Sequence, residues 1–141
     1  MIRKLQNADM DRVAGIWLDA NLRAHCFIPP QYWKSNFDPV KEMLPRAEVY
    51  VYENGREICG FIGLNGEYIE GIFVSGEMQS RGIGKRLLDF VKTKKTELRL
   101  NVYQKNMRAI RFYQREDFKI LREGMDEATG EKDYEMTWRQ E

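Results

Sequence analysis

The residues Gln79-Ser80-Arg81-Gly82-Ile83-Gly84, followed by Lys85-Arg86, carry the clearest chemical signal in this chain. They lie between a β-branched and aromatic run, Tyr68 to Val74, and an amphipathic pattern in which Ile83, Leu87, Leu88 and Val91 recur at helical spacing. A glycine-rich turn that opens a helix leaves several backbone N–H groups without partners, and the helix dipole adds partial positive charge at the same point. Gly82 and Gly84 let the chain approach a ligand closely and take up backbone angles that a Cβ forbids, while Arg81 and Lys85 add full charges. This suits an anionic, phosphate-bearing ligand; a plain tight turn is the other use of the same residues. Two better-known phosphate loops do not fit. A Walker A loop has a glycine where Gln79 stands and a hydroxyl where Arg86 stands, and the dinucleotide fingerprint has a third glycine where Leu87 stands.

The stretch Phe73 to Lys85 resembles the acyl-CoA pyrophosphate loop, Gln/Arg-x-x-Gly-x-Gly/Ala, of the GCN5-related N-acetyltransferase (GNAT) superfamily. Downstream, Asn101 to Tyr113 contains Asn106, Ala109, Phe112 and Tyr113 in the pattern Asn-x-x-Ala-x-x-Phe-Tyr, which is similar to the family's next element. Two blocks in the right order are more specific than either alone. The resemblance spans essentially the whole chain, is strongest from residue 57 to 118, and looks closest to small bacterial members, some of which acetylate protein lysines.

The resemblance implies an α/β (α+β) GNAT fold: a mixed central sheet of about six to seven strands with an antiparallel N-terminal meander, splayed parallel central strands and about four helices. It implies acetyl-CoA as donor, with its pantetheine arm in the gap between the splayed strands. There it would bond to backbone groups of Ile72, Phe73 and Val74. Gln79 and the amides of Arg81, Gly82, Ile83, Gly84 and Lys85 would take the pyrophosphate, and Asn106 would bond the arm. Tyr113 matches the family tyrosine that protonates the departing sulfur. A phenol with an ordinary pKa of ~10 keeps its proton at neutral pH; a core aromatic is the alternative, since Ala109, Phe112 and Tyr113 share a helical face. The oxyanion donor would be a backbone N–H near Val74.

Acetyl transfer to an amine requires a neutral nitrogen, and a lysine-like amine with pKa ~10.4 must first lose a proton. Glu70 stands where some family members carry an acidic base, with Glu135, Tyr68 and His25 as alternatives. His25, Tyr32, Trp33 and Tyr68 are the expected acceptor-side residues, with Phe27 beside them. Asp117 departs from the family pattern, which has glycine at the turn after this helix; Asp tolerates a positive φ better than most residues.

The chain that must position these groups has 141 residues, enough for one domain over residues 1–141 with one sizeable core. Its composition, 43% apolar and 32% charged, is that of a soluble globular protein. The apolar runs are too short to span a bilayer, and the N-terminus shows no secretory apolar segment, so no membrane partner and a cytoplasmic location are expected. Two cysteines and one histidine argue against a disulfide framework and against a transition-metal site. Residues 79–115 hold eleven Lys or Arg against Asp89 and Glu97, a net of +9, whereas residues 1–78 carry −3 and residues 116–141 carry −5. A basic centre between acidic flanks suits an anionic cofactor beside a cationic acceptor. No nucleic-acid module signature accompanies the basic stretch.

Met10, Val13, Trp17, Ala20 and Ala24 predict a first helix with Asn7 as its N-cap. Gln31 to Met43 predicts a shorter helical region interrupted near Asp38-Pro39. Three antiparallel strands follow: Val49–Tyr52, Ile58–Ile62 and Tyr68–Val74. After the loop helix, Leu98–Tyr103 should lie parallel to Tyr68–Val74, since a helical crossover joins them. A helix over 105–115 and a terminal hairpin of 119–122 and 134–138 complete the chain. The expected activity is N-acetyl transfer to a primary amine (a protein lysine, a peptide N-terminus or a small cationic amine) by direct attack in a ternary complex. The protein would act as a monomer or homodimer. A non-catalytic acyl-CoA-binding sensor is the rival reading.

Overall fold

Period-2 runs in the sequence become seven strands of a single sheet in the computed structural model, which describes all 141 residues. In chain order the elements are β1 (Ile2–Lys4), α1 (Met10–Ala24), α2 (Pro30–Ser35), α3 (Phe37–Met43), β2 (Glu48–Asn54), β3 (Glu57–Asn65) and β4 (Tyr68–Val74). They continue with α4 (Ile83–Lys92), β5 (Glu97–Tyr103), α5 (Met107–Arg115), β6 (Lys119–Met125) and β7 (Lys132–Arg139). The strands lie in the order β1-β2-β3-β4-β5-β7-β6. Every pairing is antiparallel except β4 with β5. No helix is long and apolar enough to cross a membrane.

Alternation along the strands builds a core on each face of the sheet. Tyr50, Ile62, Leu64, Ile69, Leu98, Leu100, Val102 and Met136 pack against Leu87, Leu88 and Val91 of α4 and Tyr113 of α5. On the opposite face Val49, Val51, Ile58 and Phe61 pack against Val13, Ala14 and Ile16 of α1. The loop helix is thus fixed by one core and the first helix by the other.

The pairing of β4 decides the architecture of the site. Leu64 pairs with Ile69 and Gly63 with Gly71, so Glu70 is an extra residue on β4, a β-bulge that bends the strand. On its other side β4 meets β5 only where Tyr68 faces Arg99, with Arg99 N–H donating to Glu67 O at 2.9 Å. From Glu70 onward the two parallel strands part. The Phe73 ring folds back over Gly71, and a Cβ there would come within 2.4 Å of the ring, so a larger residue would displace it.

Three local details differ from expectation. Asn7 opens a 3-10 turn and Asp9 is the residue that precedes α1. The reason is that the Asp9 carboxylate accepts from Gln6 N–H at 2.8 Å and from Arg3 at 2.7 and 3.0 Å, which draws the chain into an extra turn. The break in the second helical region falls at Asn36, not at Asp38-Pro39: Asn36 caps by donating to Tyr32 O, and Pro39 fits the first turn of α3, where its missing N–H costs nothing. The terminal strands run longer, to Met125 and from Lys132, because Tyr103 anchors the hairpin tip through Asp126. Asp117 does adopt a positive φ, 73°.

Candidate active site

The parted strands offer backbone groups in an alternating way. Ser75 N–H donates to Cys59 O at 2.8 Å, and the Phe73 carbonyl lies against Gly60, so residues 73 and 75 turn their backbone toward β3. Ile72 and Val74 therefore turn theirs toward the gap, where no strand completes them beyond Tyr68. Of the three residues expected to supply backbone groups, Phe73 instead contributes its ring to the α1-side core, 5.0 Å from Phe61.

At the end of β4 the chain turns through Ser80 (φ 65°) and Gly82 (φ 80°), and Gly82 is the N-cap of α4. Helical bonding begins with Arg86 N–H to Gly82 O at 3.0 Å, so the N–H groups of Ile83, Gly84 and Lys85 precede the ladder. The side chains behave differently from the amides. The Lys85 ammonium turns to Glu116 at 3.0 Å and Asp89 at 3.3 Å, which hold its pKa above the usual lysine value and neutralise it. Arg86 lies over Tyr52 and donates to its hydroxyl at 2.6 Å. Arg81 is exposed at the turn. Gln79 donates to Val74 O at 3.4 Å and in turn accepts from Arg108 at 3.3 Å, while Arg108 also donates to Ser80 Oγ at 2.9 Å. Arg108 carries no signal in the sequence beyond its place in the basic stretch, and it takes the fold to bring α5 across the loop.

Tyr113 lies in the core on the α4/α5 side of the sheet. Its ring is buried beside Phe118 and Phe112, at 5.5 and 5.2 Å between centroids. Its hydroxyl makes no hydrogen bond within the protein, yet it is not among the enclosed polar atoms left unpaired, which are Trp33 Nε1 and Asp133 Oδ1, so the oxygen keeps some contact with solvent. Burial, reinforced by neighbouring Tyr68, raises its pKa far above neutrality, so it holds its proton. Asn106 caps the same helix, accepting from Ala109 N–H at 3.2 Å, and its amide nitrogen meets His25 Nε2 at 3.1 Å.

The opposite mouth of the gap is aromatic and acidic. His25 stacks on Trp33 at 5.3 Å and meets Tyr103 edge-on at 5.0 Å, and Tyr32 lies edge-on to Trp33 at 4.9 Å. Burial lowers the His25 pKa to about 4, so the ring is neutral. Tyr68 donates to Asn101 Oδ1 at 2.8 Å, and its pKa is raised first by burial and then by the charge of Glu70. Glu70 is exposed and pairs with no cation, whereas Glu135 is held by Arg122 at 3.3 Å and Arg99 at 3.7 Å. Asp133, on the same face, has a raised pKa from burial and then from Asp126. Tyr103, whose hydroxyl donates to Asp126 at 2.5 Å, is a wall residue that the sequence did not single out. The structure thus brings His25, Tyr32 and Trp33 together on one side of the mouth and sets Tyr68 and Glu70 on β4.

The arrangement can hold a thioester arm between strands, protonate a leaving sulfur from one side and accept a proton on the other. Residues 45–120 match the family model described as an acetyltransferase (GNAT) domain. The chain is 32% identical over 140 residues to the peptidyl-lysine N-acetyltransferase YiaC of Escherichia coli, covering 98% of this chain and 96% of that one. It is 28% identical over 120 residues to the peptidyl-lysine N-acetyltransferase YjaB of the same organism, covering 84% and 82%. The solution structure of apo-form YjaB from Escherichia coli superposes with a TM-score of 0.88 at 24% identity, covering 100% of this chain and 98% of that chain.

Proposed function

The chain belongs to the GNAT acetyltransferase family and is an acetyl-CoA-dependent N-acetyltransferase, and from that premise we propose that it acetylates lysine side chains of proteins by direct attack in a ternary complex. The observation that carries the reading is the parting of β4 and β5 beyond Tyr68, which leaves the backbone of Ile72 and the N–H of Val74 to be completed by the donor, while Val74 O accepts from Gln79. The N–H groups of Arg81, Gly82, Ile83, Gly84 and Lys85 receive the pyrophosphate, with Gln79 and Arg108 bracing the loop and Asn106 bonding the arm. Lysine as acceptor is supported by the similarity to YiaC and YjaB, both peptidyl-lysine N-acetyltransferases. It is also supported by an acidic, aromatic mouth that suits a cation on an apolar stem.

In the proposed reaction Glu70 takes a proton from the acceptor ammonium. The neutral nitrogen attacks the thioester carbonyl, and the oxygen that gains charge is held by the Val74 N–H. Collapse breaks the carbon–sulfur bond, Tyr113 gives its proton to the departing sulfur, and the second proton that the acylated nitrogen sheds returns through cleft water to the Tyr113 oxygen, which leaves the amide, the free thiol and a neutral phenol. Glu135 is less suited as base because two arginines already hold it. His25 is also less suited, because both ring nitrogens are engaged. A single domain in the cytoplasm, with Cys26 and Cys59 as free thiols, completes the reading.

The test is thiol release from acetyl-CoA across lysine peptides, a peptide with a free N-terminus but no lysine, a polyamine and an aminoglycoside. Release that depends on lysine peptides supports the proposal. Release with the small amines alone overturns the acceptor assignment. Bound acetyl-CoA without any release favours a non-catalytic sensor.

A further inference from the structure

We propose that His25 is a positioning residue: it fixes the side-chain amide of Asn106 for the donor's arm and so ties the aromatic acceptor wall to the donor groove. This rests on the reading that Asn106 holds the arm. A continuous run of hydrogen bonds carries it. Asn21 Nδ2 donates to Trp17 O at 2.9 Å, Asn21 Oδ1 meets His25 Nδ1 at 3.0 Å, His25 Nε2 meets Asn106 Nδ2 at 3.1 Å, and Asn106 Oδ1 accepts from Ala109 N–H at 3.2 Å.

Both ends of the run are backbone groups with a single possible role. The Trp17 carbonyl only accepts, so Asn21 must present its nitrogen there and its oxygen to His25; Nδ1 must then carry the hydrogen and Nε2 the lone pair. At the other end the Ala109 N–H only donates, so Asn106 must turn its oxygen to it and its nitrogen to His25. The two constraints agree at the bond between Nε2 and Asn106. What Asn106 has left is one N–H and one oxygen lone pair, the complement of an amide in an extended arm.

The imidazole is itself clamped. Trp33 stacks on it, and Phe27 and Tyr103 meet it edge-on at 5.7 and 5.0 Å. Asn21, which sets the tautomer, is only 3% exposed and touches neither proposed substrate path. One ring therefore belongs to the acceptor wall by its faces and to the donor site by Nε2. A shift of the wall moves Asn106, and an arm bonded to Asn106 steadies the wall, so the two substrates should bind with positive coupling.

The experiment compares acetyl-CoA affinity by calorimetry, and KM for each substrate, in wild type and in Asn106→Ala, His25→Phe, His25→Gln and Asn21→Ala. Phe keeps the aromatic packing and loses the bonds, whereas Gln can accept from Asn106 and donate to Asn21. His25→Phe and Asn21→Ala should each weaken donor binding roughly threefold to tenfold, the range of one hydrogen bond, with His25→Gln recovering most of it. The 15N shifts of His25 should report hydrogen on Nδ1. If Asn106→Ala weakens donor binding while neither His25→Phe nor Asn21→Ala does, the positioning role falls and the Asn106 reading stands. If Asn106→Ala binds as wild type, the underlying reading falls. A change confined to the acceptor KM, or an Nε2–H tautomer, overturns the proposal; should His25→Phe not fold, Asn21→Ala and the tautomer decide it.

Discussion

The groove proposed for the donor and the mouth proposed for the acceptor draw on the same pair of strands, β4 and β5, yet they are built from different materials. The groove is mostly backbone: the gap-facing groups of Ile72 and Val74, and the N–H groups of Ile83, Gly84 and Lys85 ahead of the α4 ladder. The mouth is mostly side chains, gathered from the end of α1 and the loop after it (His25, Phe27), from α2 (Tyr32, Trp33), from β4 (Tyr68, Glu70) and from β5 (Tyr103). Backbone recognition needs a local conformation, so it leaves a compact motif in the sequence. Side-chain recognition needs only convergence in space, so it leaves scattered residues with no spacing rule.

Variants that break this division should differ in which kinetic constant they move. Tyr113→Phe removes the proposed proton donor to the departing sulfur and should lower kcat about 100-fold or more with little change in acetyl-CoA affinity. An unchanged kcat would remove Tyr113 from the chemistry. Gly82→Asp forces a Cβ onto a φ of 80° and sets a carboxylate at the helix N-terminus; acetyl-CoA affinity should fall on the order of 100-fold by calorimetry. Glu70→Gln acts on the mouth alone: the rate should drop about tenfold or more at neutral pH and recover toward wild type as pH approaches ~10, where lysine deprotonates unaided. A pH profile parallel to wild type would dismiss Glu70 as base.

Smaller effects sharpen the division. Lys85→Ala should change donor affinity by no more than about twofold, because its amide serves the loop while its ammonium serves Glu116 and Asp89. Arg108→Ala, which frees Gln79 and Ser80, should cost several-fold more. His25 supplies a stability readout. Its folded pKa of about 4 lies below the unfolded value of ~6.5, so its neutral form contributes stability above pH ~6.5 that is lost as pH falls toward about 4. The loss should be on the order of 3 kcal/mol and visible as a steeper fall of Tm with acid than in His25→Gln.

The same division explains what could be read from the residues alone. The antiparallel meander, the parallel pair and the glycine turn ahead of α4 are legible from alternation and glycine positions, whereas the roles expected of Asn106 and Tyr113 come from the resemblance of two short motifs. The β-bulge at Glu70 was not legible, since nothing local marks the extra residue that the register between Gly63 and Gly71 reveals. Phe73 was grouped with its neighbours because a strand written as sequence does not show which edge each carbonyl faces. The Lys85 charge, which the sequence assigns to a phosphate, goes instead to Glu116, a residue distant in the chain. Asn21 and Tyr103 carried no signal of their own, and their roles exist only where α1, α5 and β5 converge.

If β4 and the α4 N-terminus bind the donor through their backbone, amide hydrogen exchange should slow on addition of CoA at Ile72 and Val74 and at Ile83, Gly84 and Lys85, with Phe73, already turned to β3, unchanged. Protection confined to other residues, or none along the gap, means that the donor is held some other way.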